Sequence, residues 1–149
     1  MARAEAHQAE ETREGGCLCG AVRFRASGPP HKVNYCHCRM CQKASGAPVL
    51  AWATYARDKV TFTQGCPSLY QSSAQAQRGF CNACGTPLLW HGVGDPSWID
   101  LTIGAFDRPE LAPPEEHIWT ESRVKWLNIV DGLARYPERG PRATGYASD

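Results

Sequence analysis

Seven of the eight cysteines in this 149-residue chain fall into tight clusters, and that spacing constrains the fold more than any other feature. They read Cys17-x-Cys19, then Cys36-x-Cys38-x-x-Cys41, then Cys81-x-x-Cys84, with Cys66 alone. A disulfide framework spreads its cysteines so that distant segments are tied together. A metal site gathers them in short knuckles, because one ion needs several thiolates about 2.3 Å away. The chain opens MARAEAHQAEETRE, which is polar and lacks the apolar stretch of a secretory signal, so the expected compartment is the cytoplasm, where thiols stay reduced. Both arguments favour metal over disulfides.

A two-residue knuckle cannot close a tetrahedral site by itself. Cys17 and Cys19 can be completed by Cys81 and Cys84, giving a closed four-thiolate zinc site with no position left for substrate. Arg23, Arg25 and Arg78 are candidates to offset its charge. The middle cluster offers three thiolates, Cys36, Cys38 and Cys41. Three protein ligands and one open position is the pattern of a catalytic zinc. Cys66, His91, His37 or an acidic residue would instead close this site as a fourth ligand. If the segment is extended, alternation turns His37 away from Cys36 and Cys38, which makes it a supporting residue rather than a ligand. Arg39 and Lys43 lie beside the cluster, as substrate-carboxylate binders or as solvated charges.

The rest of the chain reads as short strands. LCGAVRFRA at 18–26 alternates apolar and charged residues, KVNYC at 32–36 reads as a second strand that delivers Cys36 and Cys38, and KVTFTQG at 59–65 alternates again with Val60 and Phe62 on one face. VLAWATY at 49–55, SLYQSS at 68–73 and SWIDLTIGAF at 97–106 are further strands, and RMCQKASG is one or two helical turns ending at Gly46. HIWTESRVKWLNI at 117–129 reads as a short strand and a short helix. The expected organisation is a flexible N-terminal arm over 1–14, one zinc-binding domain over 15–138 and a flexible tail over 139–149. The fold class is mainly β with little helix.

A formal net charge of +1 and the lack of a basic stripe exclude an electrostatic case for nucleic acid. The longest apolar run, 47–53, is far below the roughly 20 residues of a spanning helix, so no membrane partner is expected.

Three blocks carry a resemblance. Gly16-Cys17-Leu18-Cys19-Gly20-Ala21-Val22, Cys36-His37-Cys38-Arg39-Met40-Cys41-Gln42-Lys43 with Gly46-Ala47-Pro48, and Phe80-Cys81-Asn82-Ala83-Cys84-Gly85-Thr86-Pro87-Leu88 together resemble the glutathione-dependent formaldehyde-activating enzyme family. The same domain occurs in centromere protein V. The resemblance covers residues from about 13 to about 130. It implies a β-tent fold of short antiparallel sheets, shared with RabGEF-type zinc proteins and zinc-containing methionine sulfoxide reductases. It also implies a structural zinc on Cys17, Cys19, Cys81 and Cys84, and a second, activity-linked zinc on Cys36, Cys38 and Cys41. The implied activity is a carbon–sulfur lyase reaction joining glutathione and formaldehyde as S-hydroxymethylglutathione. The alternative is a zinc-stabilised binding module without catalysis. A redox enzyme needs a nucleophilic thiol outside the clusters, and only Cys66 is left over.

Overall fold

The computed structural model describes residues 11–141. Eleven strands and one short α-helix form two sheets. The small sheet has the order β1 (Thr12–Gly16), β2 (Arg23–Ser27), β5 (Val60–Gln64) and is antiparallel throughout. The large sheet contains β3 (Lys32–Cys36), β4 (Leu50–Ala56), β6 (Ser68–Ser73), β7 (Ala76–Phe80), β8 (Pro87–Gly92), β9 (Trp98–Thr102), β10 (Glu116–Ile118) and β11 (Ala134–Arg135). Its order is β11-β10-β3-β4-β9-β8-β7-β6, with β10 parallel to both of its neighbours and the other pairs antiparallel.

The core lies between the two sheets. Phe24, Ala26 and Val60 of the small sheet meet Val33, Ala53, Tyr55, Leu89, Ile99 and Leu101 of the large one. Phe24 packs edge-on against Phe106, with ring centroids 5.2 Å apart. Gly15 passes so close to this corner that a β-carbon there would lie 2.4 Å from the Ala105 carbonyl oxygen. Alternation explains β2, whose Phe24 and Ala26 are buried while Arg25 is exposed. β4 is buried on both faces over Trp52–Tyr55, and it reads accordingly as a continuous apolar run. Tyr55 and Ala53 enter the main core, whereas Trp52 enters a second cluster on the opposite face of the sheet.

Several segments differ from the sequence expectation. Residues 12–14, assigned to a flexible arm, form most of β1 and pair with β2. Arg13 is the reason: it points inward, is 9% exposed, and donates to the carbonyls of Gly28 (2.6 Å) and Leu111 (3.3 Å). Residues 1–10 of the arm lie outside the described residues, as do 142–149 of the tail. The strand expected over 18–26 starts only at Arg23, because 17–22 forms a turn closed by Cys17 N–H on Val22 C=O at 3.0 Å. The run at 97–106 leaves the sheet after Thr102 in a 3-10 turn over Ile103–Ala105. The helix expected within 117–129 is a 3-10 turn over Thr120–Ser122. Among the described residues no helix is long and apolar enough to cross a membrane.

Candidate metal centre and adjoining cavity

The four cysteines of the outer knuckles converge. Cys17 and Cys19 come from the turn between β1 and β2, and Cys81 and Cys84 from the turn between β7 and β8. Their sulfurs all lie within 4.8 Å of one another, with Cys17–Cys19 at 3.5 Å and Cys19–Cys81 at 3.8 Å. Four sulfurs about 2.3 Å from one ion in a tetrahedron stand about 3.8 Å apart, so the group has the size a zinc ion needs. Backbone and hydroxyl groups steady it: Val22 N–H donates to Cys17 Sγ at 3.2 Å, and Thr86 Oγ1 lies 3.1 Å from Cys84 Sγ. Those Thr86 contacts hold the Cys84 thiol down at about 5, well below its ordinary value. Arg23 is committed to Asp107 and Arg25 to Glu14, so these two basic residues are spent on carboxylates.

The second group is built by β3 and the helix α1 (Arg39–Ser45). Cys36 ends β3, and Cys38 caps α1, its sulfur accepting the Cys41 N–H at 3.3 Å. Gly46 ends the helix in the left-handed conformation (φ +68°) that glycine adopts without penalty. The sulfurs of Cys36, Cys38 and Cys41 lie within 4.8 Å of one another. Among the described residues, His37, Cys66 and His91 do not join this group, and no acidic residue does. Cys66 is exposed in the link between β5 and β6. The Cys38 thiol is drawn far down because Cys36 and Cys41 donate to it, and the Cys36 thiol is pushed up by the same contacts. Thiolates, not thiols, bind a metal, so a divalent ion at this group would compete with protons for its sulfurs.

The surroundings are apolar and aromatic. Cys36, Cys41 and Trp52 are buried together with Cys38, Leu50, Trp90, Ile118 and Trp119 around them. Register explains this: Cys36 pairs with Leu50, and Asn34 with Trp52, so these side chains share one face of the large sheet. On the same face Asp100 pairs with Thr54 and Trp90. Burial pushes its carboxyl up to about 6, although the Thr54 hydroxyl donates to it at 2.5 Å.

Arg78 was a candidate for balancing the four-cysteine group. It stands instead at the second group, with Nη2 3.5 Å from Cys41 Sγ and its guanidinium 6.0 Å from the Trp52 ring centroid. Beside it opens a cavity of about 470 Å³ lined by Met40, Lys43, Leu50, Trp52, Tyr70 and Arg78 among others. Lys43 and Arg78 give the wall two cations, and among the described residues no carboxylate lines it. Arg39 does not line it; its guanidinium bonds Gln42 on its own helix. Sequence reasoning missed Arg78 here because β7 brings it from 37 residues beyond Cys41. It also missed the partner of His37. That ring is buried, and its Nε2 lies 2.8 Å from His117 Nδ1. Burial lowers the His37 imidazole to about 4, so it is neutral.

Fold and site together define a mainly β protein organised around two cysteine groups able to hold metal ions, the second linked through Arg78 to a cationic cavity. Residues 12–122 match the family profile described as glutathione-dependent formaldehyde-activating enzyme. A Halomonas elongata protein assigned by name to those enzymes is 34% identical over 128 residues, covering 78% of this chain and 80% of that one. An uncharacterized lyase of Schizosaccharomyces pombe is 35% identical over 77 residues, covering 52% of this chain and 56% of the relative. A crystal structure of a Rhodobacter sphaeroides protein shares the fold at a TM-score of 0.53 and 18% identity, over 83% of this chain and 98% of that one. The chain belongs to the glutathione-dependent formaldehyde-activating enzyme family and is an enzyme with a lyase-like role.

Proposed function

We propose that the chain is a zinc-dependent carbon–sulfur lyase acting on the adduct of glutathione and formaldehyde. The observation that carries this reading is a three-cysteine group, with no fourth protein ligand among the described residues, next to a cavity bearing two cations and no acid. The reading includes two zinc ions per chain, a β-tent arrangement of the sheets and a cytoplasmic location. Cys17, Cys19, Cys81 and Cys84 hold the structural ion, and Cys36, Cys38 and Cys41 hold the second.

When bound at the second group, zinc supplies Lewis acidity, which favours a substrate thiol as thiolate near neutral pH. The chain's own residues do the rest. Arg78 and Lys43 bind the substrate's carboxylates, and Arg78 also balances thiolate charge at Cys41. Trp52, Leu50 and Trp90 keep water from the sulfur face, which strengthens every charge interaction there. In the forward reaction a carbon–sulfur bond forms between thiol sulfur and formaldehyde carbon. The thiol proton ends on the carbonyl oxygen, giving the hydroxymethyl thioether; the reverse reaction returns it.

The test is exchange spectroscopy of labelled formaldehyde with glutathione, read against the uncatalysed rate, on protein whose zinc content has been counted by native mass spectrometry under reducing conditions. Acceleration by two-zinc protein is expected, and Cys41→Ser abolishes it while the fold is kept. A two-zinc protein that leaves the exchange at its uncatalysed rate, or a Cys41→Ser variant with full turnover, refutes the reading.

A further inference from the structure

A chain of polar side chains runs from Asp131 through His117 to His37, and nothing in the proposed reaction uses it. His117 Nε2 lies 2.8 Å from Asp131 Oδ2, and His117 Nδ1 lies 2.8 Å from His37 Nε2. His117 is fully buried and His37 is 2% exposed. The two imidazoles stack at 5.1 Å, and Tyr35 stacks on His117 at 4.8 Å. Asp131 is fixed in turn: its Oδ1 accepts Leu133 N–H at 3.1 Å and lies 3.5 Å from Arg135.

Hydrogen-bond chemistry orders the chain. A carboxylate only accepts, so His117 Nε2 carries the proton. His37 Nε2 faces His117 Nδ1, and a proton there has an acceptor whereas one on the buried Nδ1 has none, so His37 donates from Nε2. His37 Nδ1 is left bare, and it is indeed buried without a partner. The peptide of His37 is tied down as well. Its N–H donates to Ile118 C=O at 3.1 Å, and its C=O accepts from Gln42 Nε2 at 2.6 Å, which also donates to Ser122 C=O at 3.1 Å. His37 stands between two cysteines of the second group, just past the end of β3, where its N–H makes the last bond to β10.

We propose that Asp131, His117 and His37 form a positioning chain for the second metal group. By fixing His37 it holds Cys36 and Cys38 aimed at one point, so the segment 116–135 sets how firmly the Cys36–Cys38–Cys41 group retains its metal. Ligands ordered in advance pay less on binding. Partners behind metal ligands are commonly worth about 10–100-fold in affinity. The inference rests on the two-zinc part of the proposed function and not on its substrate.

The test has two arms on the full-length, zinc-loaded protein. Long-range proton–nitrogen correlation of the histidine rings is expected to show both His117 and His37 protonated at Nε2 and bare at Nδ1. Competition with a chromogenic chelator is then run on His117→Phe, which keeps a stacked ring of similar size, and on Asp131→Asn. The four-cysteine site serves as the internal reference. The second zinc is expected to leave at about 10–100-fold lower chelator from His117→Phe, and by a smaller factor from Asp131→Asn, with the reference ion unmoved. Should His117→Phe not fold, Asp131→Asn and the tautomers decide. A proton on His37 Nδ1, parallel loss of both ions, or retention equal to the unaltered protein overturns the proposal. An unaltered protein with one zinc overturns it together with the two-zinc reading, whereas a two-zinc protein without lyase activity refutes only the substrate assignment.

Discussion

Arg78→Gln separates a residue that serves the substrate from one that serves the metal group. Arg78 is half-buried, with Nη2 3.5 Å from Cys41 Sγ and its guanidinium beside the Trp52 ring. Among the described residues no carboxylate lines the cavity to compete with a substrate carboxylate. A hydrogen bond to a charged partner contributes about 1.5–3 kcal/mol net. At about 1.4 kcal/mol per tenfold, its loss lowers kcat/KM by about 10- to 150-fold. Lys43 is exposed, and its screened contribution of under about 1 kcal/mol accounts for at most about fivefold. The assay compares glutathione with its carboxylate-blocked esters by exchange spectroscopy. Glutathione is expected to lose the full factor in Arg78→Gln and the esters to lose little, so that discrimination between them collapses. Arg78→Lys keeps the charge but not the planar fork and falls between. Equal losses for glutathione and its esters, at unchanged zinc content, would mean that Arg78 acts on the thiolates alone, and the anchoring argument fails.

Three further outcomes follow from the same geometry. On acidification the second group should release zinc at a higher pH than the four-cysteine group. Protons compete for every thiolate and the open group has one fewer to hold the ion, so chelator readings at stepped pH that show one joint release would contradict this. Asp100 has its carboxyl raised to about 6 by burial, so between about pH 4 and 6 the folded state binds more protons than the unfolded one and stability falls as pH rises. The melting temperature of Asp100→Asn relative to the parent should therefore rise across that window, and a flat difference refutes it. Gly15→Ala places a β-carbon 2.4 Å from one backbone atom and 2.8 Å from another, Phe106 Cα, neither of which can rotate away. It should cost about 1–3 kcal/mol and lower the melting temperature by several degrees, read by thermal unfolding.

The parts of the fold legible in the sequence are those whose cause is local. KVNYC and SLYQSS form strands over the residues expected, and the helix over 39–45 stops at its glycine. Cysteine spacing marked both groups that could hold a metal ion, because ligand knuckles are short by necessity. What was not legible depends on partners far along the chain. Arg13 looks like a solvated charge until Gly28 and Leu111 bring carbonyls to it, and so β1 was hidden inside a polar arm. Arg78 has the same composition cue as Arg23 and Arg25, and only the order β4-β9-β8-β7 carries it to Cys41. His37 was separated from the ligands by strand alternation, but its partner His117 lies 80 residues away.

The two cysteine groups are held in different ways, and that difference matters for function. The four-cysteine group joins the β1–β2 turn of the small sheet to the β7–β8 turn of the large one. Its sulfurs come from two knuckles 62 residues apart, so a bound ion closes a long loop and works as a staple between the sheets. The second group draws all its sulfurs from six consecutive positions. An ion there closes almost no loop and adds little to the connectivity of the fold. Around it stand the cap of α1, Gln42 and the segment carrying His117 and Asp131. A site whose metal is not needed to hold the fold is one that can lose a ligand, or take a substrate in place of one, without unfolding the protein. On the proposed reading reactivity belongs at that group, and the cationic cavity lies beside it.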